Sequence, residues 1–251
     1  MEFQSATRGF QQLGLLILVS LLWIACSKPK SVQDLYPNMV IDEKIAAKQF
    51  TVLAKGSEPM IDDLEDGDLN GLMADGRNWS WMQFDDTTDG IQYLTIDQEQ
   101  TAPGKGNSVL YVKGGNWKNT GAGLSAHLVG KASPKSMGVY DASQYAGLHF
   151  WVKAVGLSQL KLAMDTTDTA SKDEGGICLE NCPGKFESVV SVGESWQQIK
   201  IPFTQFLLTK GKHSIPLDPK NLKAIHFHLE TTGDYEVWLD EVSFLTRKTQ
   251  D

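Results

Sequence analysis

Cysteine is scarce in this chain: 251 residues hold three, Cys26, Cys178 and Cys182. A disulfide-dense framework is therefore excluded, and so is a cysteine zinc cluster, because a structural zinc takes four ligands. Positive charge is also short. Twenty-three Lys and Arg stand against 31 Asp and Glu, for a formal net charge of −8. No Lys/Arg stripe runs along the chain, which argues against a nucleic-acid partner. Long apolar runs are missing. The longest is Leu13 to Ala25, interrupted only by Gly14 and Ser20. It falls short of the about 20 apolar residues that span a bilayer as a helix. After residue 60 there is no sustained helical periodicity, which excludes an α-helical domain there. There is no nucleophile elbow, no His-Glu-x-x-His and no phosphate loop. A non-enzymatic role is expected.

What is present begins with export. Residues 1–26 have the layout of a secretory signal, with a short apolar core. The core ends Leu22-Trp-Ile-Ala-Cys26, which resembles a bacterial lipoprotein cleavage box. That resemblance implies a lipidated Cys26 as the mature N-terminus. Ser27 behind it implies the outer membrane. A plain signal peptide or an uncleaved anchor is the alternative. Removing Cys26 leaves Cys178 and Cys182, and an even pair in an exported chain reads as a disulfide. Closing so short a loop stabilises by about 2 kcal/mol in the chain-entropy model.

Residues 27–58 read as a polar tether opening Ser27-Lys-Pro-Lys-Ser31, and residues 59–248 as one domain. Within the domain, short runs with β-type alternation recur between Gly and Pro turns. The clearest is Leu222–Glu230, where Ile225, Phe227 and Leu229 face one way and His226, His228 and Glu230 the other. The fold class expected is all-β: an antiparallel β-sandwich of jelly-roll type.

Four segments carry a resemblance: Met60-Ile-Asp-Asp-Leu-Glu-Asp-Gly-Asp68, Gly76-Arg-Asn-Trp-Ser-Trp-Met-Gln-Phe-Asp85, Tyr140 to Lys153, and Gly175-Gly-Ile-Cys-Leu-Glu-Asn-Cys182. With the C-terminal strands, they resemble the family 11 carbohydrate-binding modules and related galactose-binding-like jelly rolls. Stand-alone bacterial lipoproteins carry such domains. The resemblance implies polysaccharide or glycan binding without catalysis, at the cell envelope. It also implies structural calcium between Glu65 and Asp240, the positions that match the family's cation site. Calcium takes six to eight oxygens, and the Asp66-to-Gly71 turn offers carbonyls. The more distant complex I intermediate-associated proteins share the layout and act in assembly, so an envelope interaction module is the alternative.

Sugar binding needs rings for C–H faces and polar partners for hydroxyls. Trp79 and Trp81, two apart, project from one face of a strand, either into solvent or into the core. Trp117, in the loop Gly114-Gly-Asn-Trp-Lys-Asn-Thr-Gly121, is the ring most expected to be exposed. Tyr93 and Trp151 are further candidates. Arg77, Asp165, Asp168 and His226 are the candidate polar partners. The family's cleft tyrosine in the strand matching Leu222–Glu230 is replaced by Leu229, so that family's β-glucan preference does not transfer. His226 and His228 share a strand face, and with His149 they form a lesser zinc candidate. A glycan-processing reaction would need two carboxylates opposed across a cleft, with Asp165, Asp168 and Glu230 as candidates.

Overall fold

A computed structural model describes residues 28–43, 51–53, 58–104, 106–119, 121–129 and 138–247. In chain order its elements are α1 (Val32–Leu35), β1 (Val40–Ile41), β2 (Thr51–Leu53), β3 (Met60–Asp62), β4 (Trp81–Asp85), β5 (Ile91–Gln98) and β6 (Ser108–Gly115). Next come β7 (Ala122–His127), β8 (Gly138–Tyr140), β9 (Tyr145–Val155), β10 (Gln159–Thr166), β11 (Cys178–Glu180) and β12 (Phe186–Ser191). The chain closes with β13 (Gln197–Pro202), β14 (Leu207–Lys210), β15 (His213–Pro216), β16 (Leu222–Leu229) and β17 (Tyr235–Thr246).

Two sheets face each other as an antiparallel sandwich. A nine-stranded sheet runs β15-β14-β12-β10-β16-β7-β4, with β8 paired to β16 and β2 to β8. A six-stranded sheet runs β13-β9-β17-β6-β5, with β3 on β17. The only parallel pair among named strands is β2 with β8. The jelly-roll sandwich read from the sequence is the fold observed.

Alternation explains the layers. Ile225, Phe227 and Leu229 of β16 are fully buried, and so are Leu148, Phe150 and Val152 of β9. Phe150 meets Phe227 edge-on across the two sheets, 5.3 Å between centroids. An aromatic T-contact adds roughly 1 kcal/mol to the area that the rings bury. The polar positions between these residues are thereby turned to the outer faces of the sheets.

Strand β5 was not anticipated. Its apolar Ile91 and Tyr93 point outward, and its polar Gln92 points in. There Gln92 bridges the layers: Nε2 donates to the Gly123 carbonyl (3.1 Å) and Oε1 accepts from the Tyr235 hydroxyl (2.7 Å). A half-buried amide satisfied at both ends costs little, but it inverts the pattern that identifies a strand.

The tether reading needs correction over residues 28–43, which dock on the sandwich. Leu35 and Met39 are buried, β1 pairs with β11, and the Lys172 ammonium meets Asp42 at 3.0 Å. Cys178 and Cys182 form the expected disulfide, which closes the turn after β11. Residues 1–26, with the lipidation cysteine Cys26, lie outside the described residues, as do residues 44–50 and 54–57 of the tether.

Candidate functional site

The expected aromatic site is not on the surface. Trp79, Trp81 and Trp117 are each 3% exposed and belong to the core. Trp79 and Trp81 do share a face, but it is the inner one, with centroids 5.1 Å apart. The Trp81 indole donates to Asp62 at 2.7 Å, which ties the ring inside. Trp117 lies in its glycine-rich loop but folds inward over Gly90, where a Cβ would stand 2.2 Å from the ring. Arg77 is 2% exposed as well. Its Nη2 donates to the Glu58 carbonyl (3.1 Å) and its Nε to Ala74 (3.2 Å), and its guanidinium lies 5.6 Å from the Tyr140 centroid. It ties the domain's opening segment to the core and is closed to a ligand.

Asp165 and His226 come together on the outer face of the nine-stranded sheet. The register sets Ala163 opposite His226 and Asp165 opposite Ala224, so the two side chains meet diagonally. Asp165 Oδ2 accepts from His226 Nε2 at 2.8 Å and from the Lys185 ammonium at 2.6 Å. A carboxylate only accepts, so Nε2 carries the imidazole proton. Burial alone would raise the Asp165 carboxyl, but the His226 and Lys185 hydrogen bonds and charges outweigh it and hold the group at about 2.

Asp165 and His226 are each 6% exposed, so the group lies within this face rather than on top of it. Small residues line its middle: Ala163 on β10, Ala224 on β16, and Gly123 and Ser125 on β7. Gly123 has to be glycine here, because a Cβ would stand 2.3 Å from the Phe84 ring and 2.5 Å from the Phe227 carbonyl. Phe84 therefore lies low across β7, edge-on to His228 at 5.0 Å. Burial, and then the Lys161 charge, push the His228 imidazole down to about 4. Its Nε2 is buried without a hydrogen-bond partner among the described residues. Burial and the His226 charge also lower His127. Lys161 pairs with Glu230 and, at 3.5 Å, with Glu187. Towards β14 the face deepens into a depression of about 450 Å³ that includes Tyr36, Lys185, Glu187 and Leu207. The face thus presents charged, pre-aligned hydrogen-bonding groups over small residues, with rings at its two ends. That suits an extended ligand rich in hydroxyls.

Other candidates fall elsewhere. Asp168 lies beyond the end of β10, where burial raises its carboxyl. His149 is on the opposite outer face, bonded through Nδ1 to Ser243 at 3.0 Å, so it cannot join His226 and His228 on a metal. No cluster of three His, Cys, Asp or Glu able to hold a metal occurs among the described residues.

Glu65 and Asp240 both face the loop between β5 and β6. Asp240 is 1% exposed, and burial pushes its carboxyl up to about 6 against its bonds from the Glu241 and Gly104 amides. Glu65 accepts from the Ser108 amide at 3.2 Å. Glycines cradle both: a Cβ on Gly104 would stand 2.6 Å from Asp240, and one on Gly106 2.0 Å from Glu65. Two oxygen donors beside bare backbone fit a hard cation that completes its shell with carbonyls and water.

A family model described as carbohydrate binding domain 30 matches residues 72–246. No curated protein matches. Among solved structures, a family 11 carbohydrate-binding module from Clostridium thermocellum, bound to a β-1,3-1,4-mixed-linked tetrasaccharide, is 19% identical. It covers 77% of this chain and 97% of its own, with a TM-score of 0.47. A family 30 module of a Clostridium thermocellum cellulosomal cellulase is 16% identical, covering 67% and 92%, with a TM-score of 0.43. A xylan-binding domain from Paenibacillus barcinonensis is 13% identical, covering 77% and 99%, with a TM-score of 0.42.

Proposed function

We propose, from the premise that this chain belongs to the carbohydrate binding domain 30 family, that it is a non-catalytic carbohydrate-binding module. Its site is the outer face of the nine-stranded sheet. The observation that carries this reading is Asp165, held ionised by Lys185 and His226 beside the small residues Ala163, Ala224 and Ser125. A sugar diol offers both donors and acceptors, and this group answers with a fixed carboxylate and a fixed ammonium. The acids of this face are each engaged by lysine: Asp165 by Lys185, and Glu187 and Glu230 by Lys161. Such carboxylates bind well and make poor general acids.

The test is thermal unfolding and calorimetric titration against a panel of soluble polysaccharides. At 100 times its Kd a ligand stabilises by about 2.7 kcal/mol. A midpoint shift with one glycan class is expected. No shift or heat across the panel, with and without calcium, would sink the reading.

Calcium is proposed at Glu65 and Asp240 in a structural role, remote from the sugar face. The chelator-treated protein should melt lower, and equal midpoints would remove the ion. Display on the envelope through a lipid on Cys26, at the outer membrane, is proposed from the sequence. Metabolic labelling with a radioactive fatty acid should mark the wild type and not Cys26→Ser.

One observation favours a second reading, that of an envelope assembly module. Ile91, Tyr93 and Val155 form an exposed apolar patch on the six-stranded sheet. Stable co-purification of one envelope protein, lost when this patch is made polar, would favour that reading over glycan binding.

A further inference from the structure

The depression of about 450 Å³ beside the Asp165 cluster is walled partly by a segment outside the family's matched residues. We propose that residues 31–42 are a built-in strap of the glycan site. The strap presents Tyr36 as a stacking ring for one pyranose unit, with Lys185 and Glu187 as its polar partners. This rests on the carbohydrate reading above.

The strap is held along its length. Ser31 caps α1 by accepting from the Asp34 amide at 3.0 Å, and Leu35 and Met39 are buried against the sandwich. Asn181 Nδ2 donates to the Asn38 carbonyl (3.1 Å), and the Asp42 amide donates to Ile177 (2.8 Å). Val40 and Ile41 pair with β11, where the Cys178–Cys182 disulfide closes the receiving turn. A short chain segment keeps a fixed position only when such contacts offset its ordering entropy.

Tyr36 is oriented by this docking. Its hydroxyl donates to the Thr209 carbonyl at 3.2 Å, and the Lys210 ammonium lies 4.6 Å from the ring centroid. The ring borders a floor that includes the exposed side chains of Val189 and Leu207, with Lys185 and Glu187 at hand. Lys185 also holds Asp165, so the depression is continuous with the charged face. A ring fixed in place, an apolar floor and one group of each charge together meet what a pyranose presents: a C–H face and hydroxyl edges. Tyr36 is thus a specificity-determining residue supplied from outside the family domain.

The test uses the full chain in detergent, titrated by calorimetry with barley mixed-linkage β-glucan, xylan and xyloglucan. Tyr36→Ala should weaken the best of these about tenfold. Tyr36→Phe keeps the ring and should stay within about twofold. Limited proteolysis at residues 31–42 reports whether the strap is still docked in each variant. Unchanged binding by Tyr36→Ala with the strap docked overturns the inference. So does tighter binding when the strap is released, because the strap then covers the site. If Asp165→Asn loses binding while Tyr36→Ala keeps it, the strap inference fails and the carbohydrate reading stands. If the wild type binds none of the three or any other glycan, both fail.

Discussion

The sandwich turns two contrasting outer surfaces to solvent. The six-stranded sheet is rich in rings: Tyr111 packs at a tilt against Trp238 at 5.1 Å, and Lys153 sits 4.2 Å from the Trp238 centroid and 5.4 Å from that of Trp196. Lys153 is in turn paired with Glu99 at 2.7 Å. These rings pack against one another and against a cation. The nine-stranded sheet has few rings on its outer face. It has small residues and charges aligned by one another; a buried imidazole nitrogen without a partner among the described residues occurs on both sheets, at His228 here and at His149 on the other. On the carbohydrate reading proposed above, the number of aromatic residues is a poor guide to the sugar site. What matters is hydrogen-bonding capacity that the protein positions but does not consume.

The two sheets also hold their buried acids in opposite ways, and pH should separate them with the largest effect. Asp165, on the nine-stranded sheet, is held at about 2, whereas burial pushes Asp62 up to about 7 and Asp240 up to about 6 on the six-stranded sheet. An acid raised on folding penalises the folded state when ionised. That penalty is absent below the unfolded pKa of about 4 and complete above the folded one. The two raised acids should therefore add stability in chelator as pH falls from about 7 towards 4, partly offset by the buried His228 imidazole, which stays neutral down to about 4 and costs stability below about 6.5. Asp165 works the other way. Its contribution is complete above about 4 and is lost as pH falls towards 2. Thermal midpoints should peak near pH 4 to 5. Calcium favours ionised Asp240, so it should flatten the rise on the neutral side. A midpoint falling steadily from pH 7 to 4 in chelator would contradict this picture.

Asp165→Asn is the next largest perturbation and should act on one face only. It removes the charge that aligns Lys185 and His226. Hydrogen bonds to a charged group contribute roughly 1.5–3 kcal/mol each, so glycan affinity should fall at least about tenfold and stability by on the order of 2 kcal/mol. Chemical denaturation and calorimetry on the same sample separate the two losses. Retained affinity would move the site off this face.

Breaking the disulfide by Cys178→Ser with Cys182→Ser should cost about 2 kcal/mol or less. The loss is local, because the bridge spans only four residues along the chain. It should loosen the 178–182 turn and the strap paired to β11, leaving the six-stranded face unchanged. Hydrogen exchange would show faster amides over residues 38–42 and 178–181 and unaltered protection in β17. Faster exchange throughout the sandwich would make the bridge a global staple instead.

Much of the sandwich could be read from the chain, because β16 alternates, β17 alternates up to its bulge after Asp240, and Gly and Pro mark the turns. The burial of Trp79 and Trp81 could not. Spacing places both rings on one face but is silent on which side the second sheet lies. Trp117 misled for a different reason: its loop looks exposed, yet the bare backbone of Gly90, distant in sequence, makes the space it fills. The Asp165–His226–Lys185 group depends on three segments paired in one register, and no local pattern announces that pairing. The strap escaped notice because its helix has four residues and its strand two. Both are too short for any periodicity to register.

The smallest expected effect is also the sharpest test of the contrast between the faces. Tyr93 is 66% exposed and stands with Ile91 and Val155 around a depression of about 390 Å³ on the six-stranded side. By ring exposure alone it would be the first choice for a sugar. Its setting differs from that of Asp165 in exposure: the paired Lys113 and Glu236 side chains are 59% and 34% exposed, against 28% and 8% for Lys185 and Asp165. Tyr93→Ala should change stability by less than about 0.5 kcal/mol, as exposed substitutions do. Glycan affinity should stay within about twofold, because a ring without positioned polar groups contributes little to binding a hydroxyl-rich ligand. If affinity instead falls about tenfold in Tyr93→Ala and holds in Asp165→Asn, the two faces exchange roles. Stacking would then outweigh pre-aligned charge in this fold.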